Sequence, residues 1–178
     1  MSWLPRAKNE AAAHPATELD AVFGHRPDLY RDYRDFHALF WERPLVDPVL
    51  LELCRLRIAA LVGCESELGI RYQGTLDAGL TESKIAALDH WHDDARFSER
   101  ERAVLAFAEL FVRDPHAITD GDARAVVHEL GDAGTVAFVE ALALFDGFAR
   151  FRVMLGVERT TDAVRAAALP VVGDASSY

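Results

Sequence analysis

The stretch from Val136 to Val157 is the most apolar in the chain and constrains the fold more than any other feature. Its length invites comparison with a membrane span, yet it carries Glu140, Asp146, Arg150 and Arg152. Four charges in a hydrocarbon core are too costly, so the sequence argues against a bilayer span. The alternative is a helix from about Thr135 to Leu155, apolar almost all round at Val136-Ala137-Phe138-Val139. Such a helix belongs at the centre of a helical fold or between subunits. Glu140 then needs a partner, because a buried carboxylate does, and Arg150 and Arg57 are the candidates.

The remaining segments also read as helices. Pro27 opens a run in which Leu29, Tyr33, Phe36 and Phe40 repeat at helical spacing, and Pro44 closes it. Asp47-Pro48 makes a cap and first-turn pair for a helix to about Gly63, with Leu50, Leu53, Cys54, Leu56 and Leu61 facing a core. A third helix is expected from near Cys64 to Gly79. Thr81 caps a short helix to about Leu88. Ser98-Glu99-Arg100-Glu101 is a capping box for a helix ended by Asp114-Pro115. Thr119 to Leu130 forms a further short helix. No strand-like alternation of useful length and no internal repeat is present, so the expected fold class is all-α.

At 178 residues the chain suits one domain. Residues 18–167 hold the periodic segments. Residues 1–17 read as an Ala/Pro/polar arm and 168–178 as a mobile tail. Asp and Glu number 29 against 19 Lys and Arg, a net charge of −10, which makes nucleic acid and anionic membrane poor partners. Met1-Ser2-Trp3-Leu4-Pro5-Arg6 contains no apolar run of signal-peptide length, so a cytoplasmic location is expected. Two cysteines exclude a disulfide scaffold and fit a reducing compartment.

Four blocks together resemble the carboxymuconolactone decarboxylase and alkylhydroperoxidase D-like superfamily. They are Glu52-Leu53-Cys54-Arg55-Leu56-Arg57-Ile58-Ala59-Ala60-Leu61-Val62-Gly63-Cys64, then Asp77-Ala78-Gly79-Leu80-Thr81-Glu82, then Phe97 to Leu105, and finally Phe148-Ala149-Arg150-Phe151 with Leu155-Gly156-Val157. The resemblance spans roughly Phe36 to Val157. It implies an alkylhydroperoxidase D-like helical domain assembling as a trimer or hexamer, sometimes a dimer, with sites near subunit contacts.

The peroxidase branch of that superfamily has a glutamate, eleven residues, Cys-x-x-Cys, and a histidine four residues on. Glu52 matches the glutamate and Cys64 the first cysteine. Glu67 stands at the second cysteine and Arg71 at the histidine. Without a resolving thiol and a histidine relay, dithiol peroxidase chemistry is not expected. Cys54 is no substitute: ten helical residues place it about 15 Å from Cys64, and a disulfide needs Cα atoms within about 7 Å. It reads as a buried apolar residue. A non-peroxidase branch has Glu-Tyr-Glu-Trp here. Glu65-Ser66-Glu67-Leu68 keeps both acids and replaces both aromatics.

The candidate catalytic residues are therefore Glu52, Glu67 and Cys64, with Arg71, Tyr72 and His37 as candidates for substrate binding. Glu67 and Arg71 have the i,i+4 spacing of a helical ion pair, either structural or lining the former thiol pocket. Cys64 is a helix-start residue, a lone redox thiol, or a residue in non-redox contact with a ligand. His90-Trp91-His92-Asp93-Asp94 reads as a polar surface loop, because i,i+2 histidines point to different helix faces and no third ligand has suitable spacing; no metal site is expected. The leading expectation is a cofactor-free lyase or isomerase that acts by acid–base chemistry on a small organic, possibly carboxylated, molecule. The alternatives are a single-cysteine peroxide reductase using Cys64 and a non-catalytic ligand-binding oligomer.

Overall fold

A computed structural model describes residue 4 and residues 18–157 and 164–173. Its elements are α1 (Glu18–Phe23), α2 (Pro27–Glu42), α3 (Pro48–Val62), α4 (Glu65–Leu68), β1 (Ile70–Tyr72), α5 (Gln73–Asp77), α6 (Glu82–Ile85), α7 (Glu99–Arg113), α8 (Asp120–Leu155) and β2 (Arg165–Ala167). The all-α class holds, with one small two-stranded addition.

The centre is α3. The Asp47 carboxylate accepts from the Val49 amide at 2.8 Å, Pro48 fills the first turn, and Gly63 ends the helix at φ 75°. Every residue from Leu50 to Ala59 is buried, so this helix is covered on all sides rather than along one stripe. It packs against both α7 and α8, which also pack on each other. Leu51, Leu53, Leu56 and Ile58 of α3 meet Val104 and Leu105 of α7 and Phe138 and Leu142 of α8 in one core. Each such side chain contributes about 1.5–3 kcal/mol by leaving water.

The capping box of α7 forms as the sequence predicts. Ser98 Oγ accepts from the Glu101 amide and Glu101 Oε2 accepts from the Ser98 amide at 2.8 Å. Ser98→Ala should therefore cost about 1 kcal/mol in urea unfolding; no change in the unfolding midpoint would contradict this account of the helix start.

Two expectations need correction, and one is met inside a longer element. The segment 64–79 is not one helix. It leaves the helical path at Gly69, and Ile70–Tyr72 pairs in parallel with Arg165–Ala167. A tertiary partner far along the chain overrides local periodicity there. The two expected C-terminal helices are both present within α8, separated at Gly131, whose backbone is not helical (φ 69°, ψ 173°) and whose positive φ suits glycine. Glu140 is exposed; Arg57 pairs with Asp89 and Glu109, and Arg150 pairs with Asp146. The polar loop at 90–94 does expose His90 and His92, while Trp91 is buried and donates to Glu109 at 2.7 Å.

On α2 the buried residues are Tyr30, His37, Ala38 and Trp41, whereas Leu29 and Phe36 are 51% and 43% exposed. The helix is thus seated by the face that carries His37, against Phe145 and Phe148 of α8. Residues 168–173 of the expected tail run beside α2, where the Val172 and Gly173 amides donate to Glu42 and Asp35. The expected arm, apart from Leu4, and residues 174–178 lie outside the described residues. Among the described residues no helix is long and apolar enough to cross a membrane.

Candidate functional site

Burial of charge inside α3 defines the site. Glu52 and Arg55 are one turn apart and 0% and 2% exposed. Arg55 Nε donates to Glu52 Oε2 and its Nη2 to Glu52 Oε1, both at 2.7 Å, a bidentate pair. The remaining donors reach across to the segment that follows Gly63. Nη2 donates to the Ile70 carbonyl at 3.0 Å, and Nη1 donates to the Glu67 carbonyl and to Glu67 Oε2, both at 2.9 Å. All five guanidinium N–H groups are used. The Tyr72 ring lies 5.0 Å from the guanidinium carbon, close enough for a cation–π contact.

Glu67 is held from two sides. Its Oε2 accepts from Arg55 and its Oε1 accepts from Arg152 Nη1 of α8 at 2.7 Å. The cluster holds two carboxylates and two guanidiniums, so its formal charges cancel. Burial opposes the charges of the central pair. It raises the Glu52 carboxyl above its usual value although Arg55 pulls the other way. It also works against the Arg55 charge, which the two glutamates more than restore.

Beside this cluster is an enclosed cavity of about 10 Å³, the scale of one water molecule. Its polar lining comes from Tyr33 and His37 of α2, Arg55 of α3 and Glu67 of α4; Ala59, Phe145, Phe148 and Ala149 complete it. His37 Nε2 accepts from Trp41 Nε1 at 3.1 Å, so the neutral ring carries its proton on Nδ1. Burial, and after it the Arg55 charge, lowers its pKa to about 3. Burial, and after it the Glu67 charge, pushes the Tyr33 phenol well above its usual value, so it keeps its proton at neutral pH.

Among the sequence candidates, Glu52, Glu67 and Tyr72 meet around Arg55, and His37 lines the same small cavity as Glu67. The expected Glu67–Arg71 ion pair does not form. Helical i,i+4 geometry is lost at Gly69, and Arg71 turns to Glu82 at 2.9 Å and to the Leu68 and Ile70 carbonyls. Neither Arg71 nor Tyr72 lines the cavity. Cys64 is 0% exposed and packs with Ala59 and Ala149 behind the cavity wall. Cys54 is also fully buried, and burial raises its thiol pKa. Among the described residues no group of three or more His, Cys, Asp or Glu is placed to hold a metal ion.

Residues 27–110 match the Carboxymuconolactone decarboxylase family. Two solved structures share the fold. One, from Agrobacterium tumefaciens, is described as a protein of unknown function and a candidate antioxidant defence protein AhpD. It is 16% identical, with a TM-score of 0.69 over 79% of this chain and 96% of that one. The other, from Ralstonia eutropha JMP134, is described as an alkylhydroperoxidase AhpD core and an uncharacterized peroxidase-related protein. It is 19% identical, with a TM-score of 0.68 over 82% of this chain and 77% of that one. Over residues 27–110, just under half of its length, the chain is similar to that family, and its fold is shared with the two structures described as AhpD proteins. No curated protein matches it.

The site contains three residues that sequence reasoning missed: Arg55, Arg152 and Tyr33. Arg55 had a readable signal, an arginine three positions after a glutamate inside a helix whose other residues are almost all apolar. Tyr33 was noted only as part of an apolar stripe. Arg152 had none, since it lies outside the matched residues and 85 positions from Glu67.

Proposed function

We propose that this protein is an enzyme that moves a proton at the cavity between α2, α3 and α8, with lyase or isomerase chemistry and Glu67 as the proton carrier. The observation that carries this reading is the convergence of a carboxylate, a neutral imidazole and a protonated phenol on one small enclosed space. Each Glu67 oxygen accepts one guanidinium donor and keeps a lone pair for a substrate proton. Glu67 takes a proton from a carbon beside a carbonyl, the Tyr33 O–H hydrogen-bonds to the oxygen on which negative charge develops, and Glu67 returns the proton. Glu52, with both oxygens on Arg55, is a positioning residue. Arg71, engaged by Glu82, lies outside the reacting space.

The test is exchange of carbon-bound hydrogen for deuterium in a panel of ketones, aldehydes and lactones, followed by NMR in heavy water. Glu67→Gln should lower the exchange rate at least about 100-fold, the usual scale for a general base, and Tyr33→Phe should lower it less. Exchange unchanged in both variants sinks the proposal. The complete use of the Arg55 donors favours a second reading, a ligand-binding protein without turnover. Background exchange by the wild-type chain across the panel would select it.

A further inference from the structure

A second, larger space adjoins the cavity. It lies between α1, α2 and α8, has a volume of about 290 Å³, and is lined by Phe23, Leu29, Tyr33, Leu144, Gly147 and Phe151 among others. It is a groove open to the surface, since Leu29, Ala143 and Gly147 of its lining are exposed. No charged side chain lines it, and Tyr33 carries the one hydroxyl in the lining. Tyr33 and Phe148 line both spaces, so the apolar pocket and the polar cavity share a wall.

Gly147 adds an independent observation. It sits inside α8, where glycine costs about 1 kcal/mol relative to alanine. Its φ is not the left-handed kind that demands glycine, and a Cβ built there would meet no atom within 4 Å. Neither backbone conformation nor packing within the chain requires a glycine, and its effect is to widen the pocket.

The pocket's own lining decides the ligand class. It offers no cation to receive an anionic head, and behind the shared wall every Arg55 donor is already engaged. We propose that the pocket binds the apolar body of an uncharged molecule with a single hydrogen-bonding oxygen, an alcohol or a simple carbonyl compound, and that this oxygen reaches Tyr33. As the substrate class of the enzyme this rests on the acid–base reading above; as a binding site it is tested separately.

The full-length chain is titrated with 1-octanol and with octanoate at neutral pH, by calorimetry and ligand-observed NMR. Octanol should bind, and octanoate should bind at least ten-fold more weakly. Gly147→Leu, which fills the pocket from a helix that tolerates leucine, should lower octanol affinity at least ten-fold with unchanged circular dichroism. Tyr33→Phe should lower it several-fold. Absence of octanol binding, equal affinity for octanoate, or unchanged octanol affinity in Gly147→Leu overturns the proposal. If Gly147→Leu changes the assembly mass in light scattering while octanol still binds as before, the pocket is a contact between copies of the chain and the proposal fails. If octanol and Gly147→Leu behave as expected while Glu67→Gln retains proton exchange, only the catalytic reading fails.

Discussion

Replacing Arg55 by methionine should destabilise the fold by about 3–5 kcal/mol in urea unfolding at neutral pH. Methionine fills similar space, so the loss comes from charge rather than from a void. Glu52 is then left fully buried without the guanidinium that holds both of its oxygens, and the Ile70 and Glu67 carbonyls lose a donor. Lysine should not rescue the variant, because one ammonium cannot replace five donors in a planar fork. The deficit should also depend on pH. Burial already raises the Glu52 carboxyl against the pull of Arg55, and without Arg55 it rises further. A carboxyl whose folded pKa lies above its unfolded value adds stability at low pH and loses it as pH rises through the folded value. The gap between variant and wild type should therefore narrow as the solution is acidified from pH 8 towards pH 5. A gap below about 1 kcal/mol at neutral pH, or one that widens on acidification, would show that the cluster is not what holds this part of the fold together.

Acid should also destabilise the wild-type chain through His37. Its pKa is about 3 in the folded chain against an ordinary 6.5. The unfolded chain takes up a proton there as pH falls below about 6.5, and the folded chain takes none until about 3. Stability from this group is present above 6.5 and is lost as pH falls through that window, by up to about 1.4 kcal/mol per pH unit. His37→Gln keeps an acceptor for the Trp41 indole and removes the titration. Between pH 6 and 5 the wild-type stability curve should fall more steeply than that of His37→Gln by roughly 1 kcal/mol per unit. Parallel curves would mean that His37 is protonated as easily in the fold as in water, and hence that the cavity is open to solvent.

The helices with local punctuation were legible in the sequence. Asp47-Pro48 with Gly63, and Ser98 with Glu101, carry their capping chemistry within a few residues, and the structure uses it as expected. What failed depended on distance. The strand at Ile70–Tyr72 exists because Arg165–Ala167 lies beside it, and no pattern within 64–79 encodes that neighbour. The same departure from the helix at Gly69 sends Glu67 and Arg71 to different partners, so an ion pair read from i,i+4 spacing was lost with the helix that defined the spacing. On α2, Phe36 is the more apolar residue, yet His37 is the buried one. An imidazole with a nearby indole donor can be buried at modest cost, and hydropathy alone does not register such a partner.

The Arg152–Glu67 bond also bears on the order of folding. Arg55 is 12 positions from Glu67, whereas Arg152 is 85 positions away, near the end of α8. Closing the longer loop costs more chain entropy and needs α8 docked along its length. During synthesis the first clamp on Glu67 can close while much of α8 has yet to emerge, and the second only when almost the whole chain is in place. Glu67 thus becomes fully set last, which ties the geometry of the charged cluster to the docking of α8.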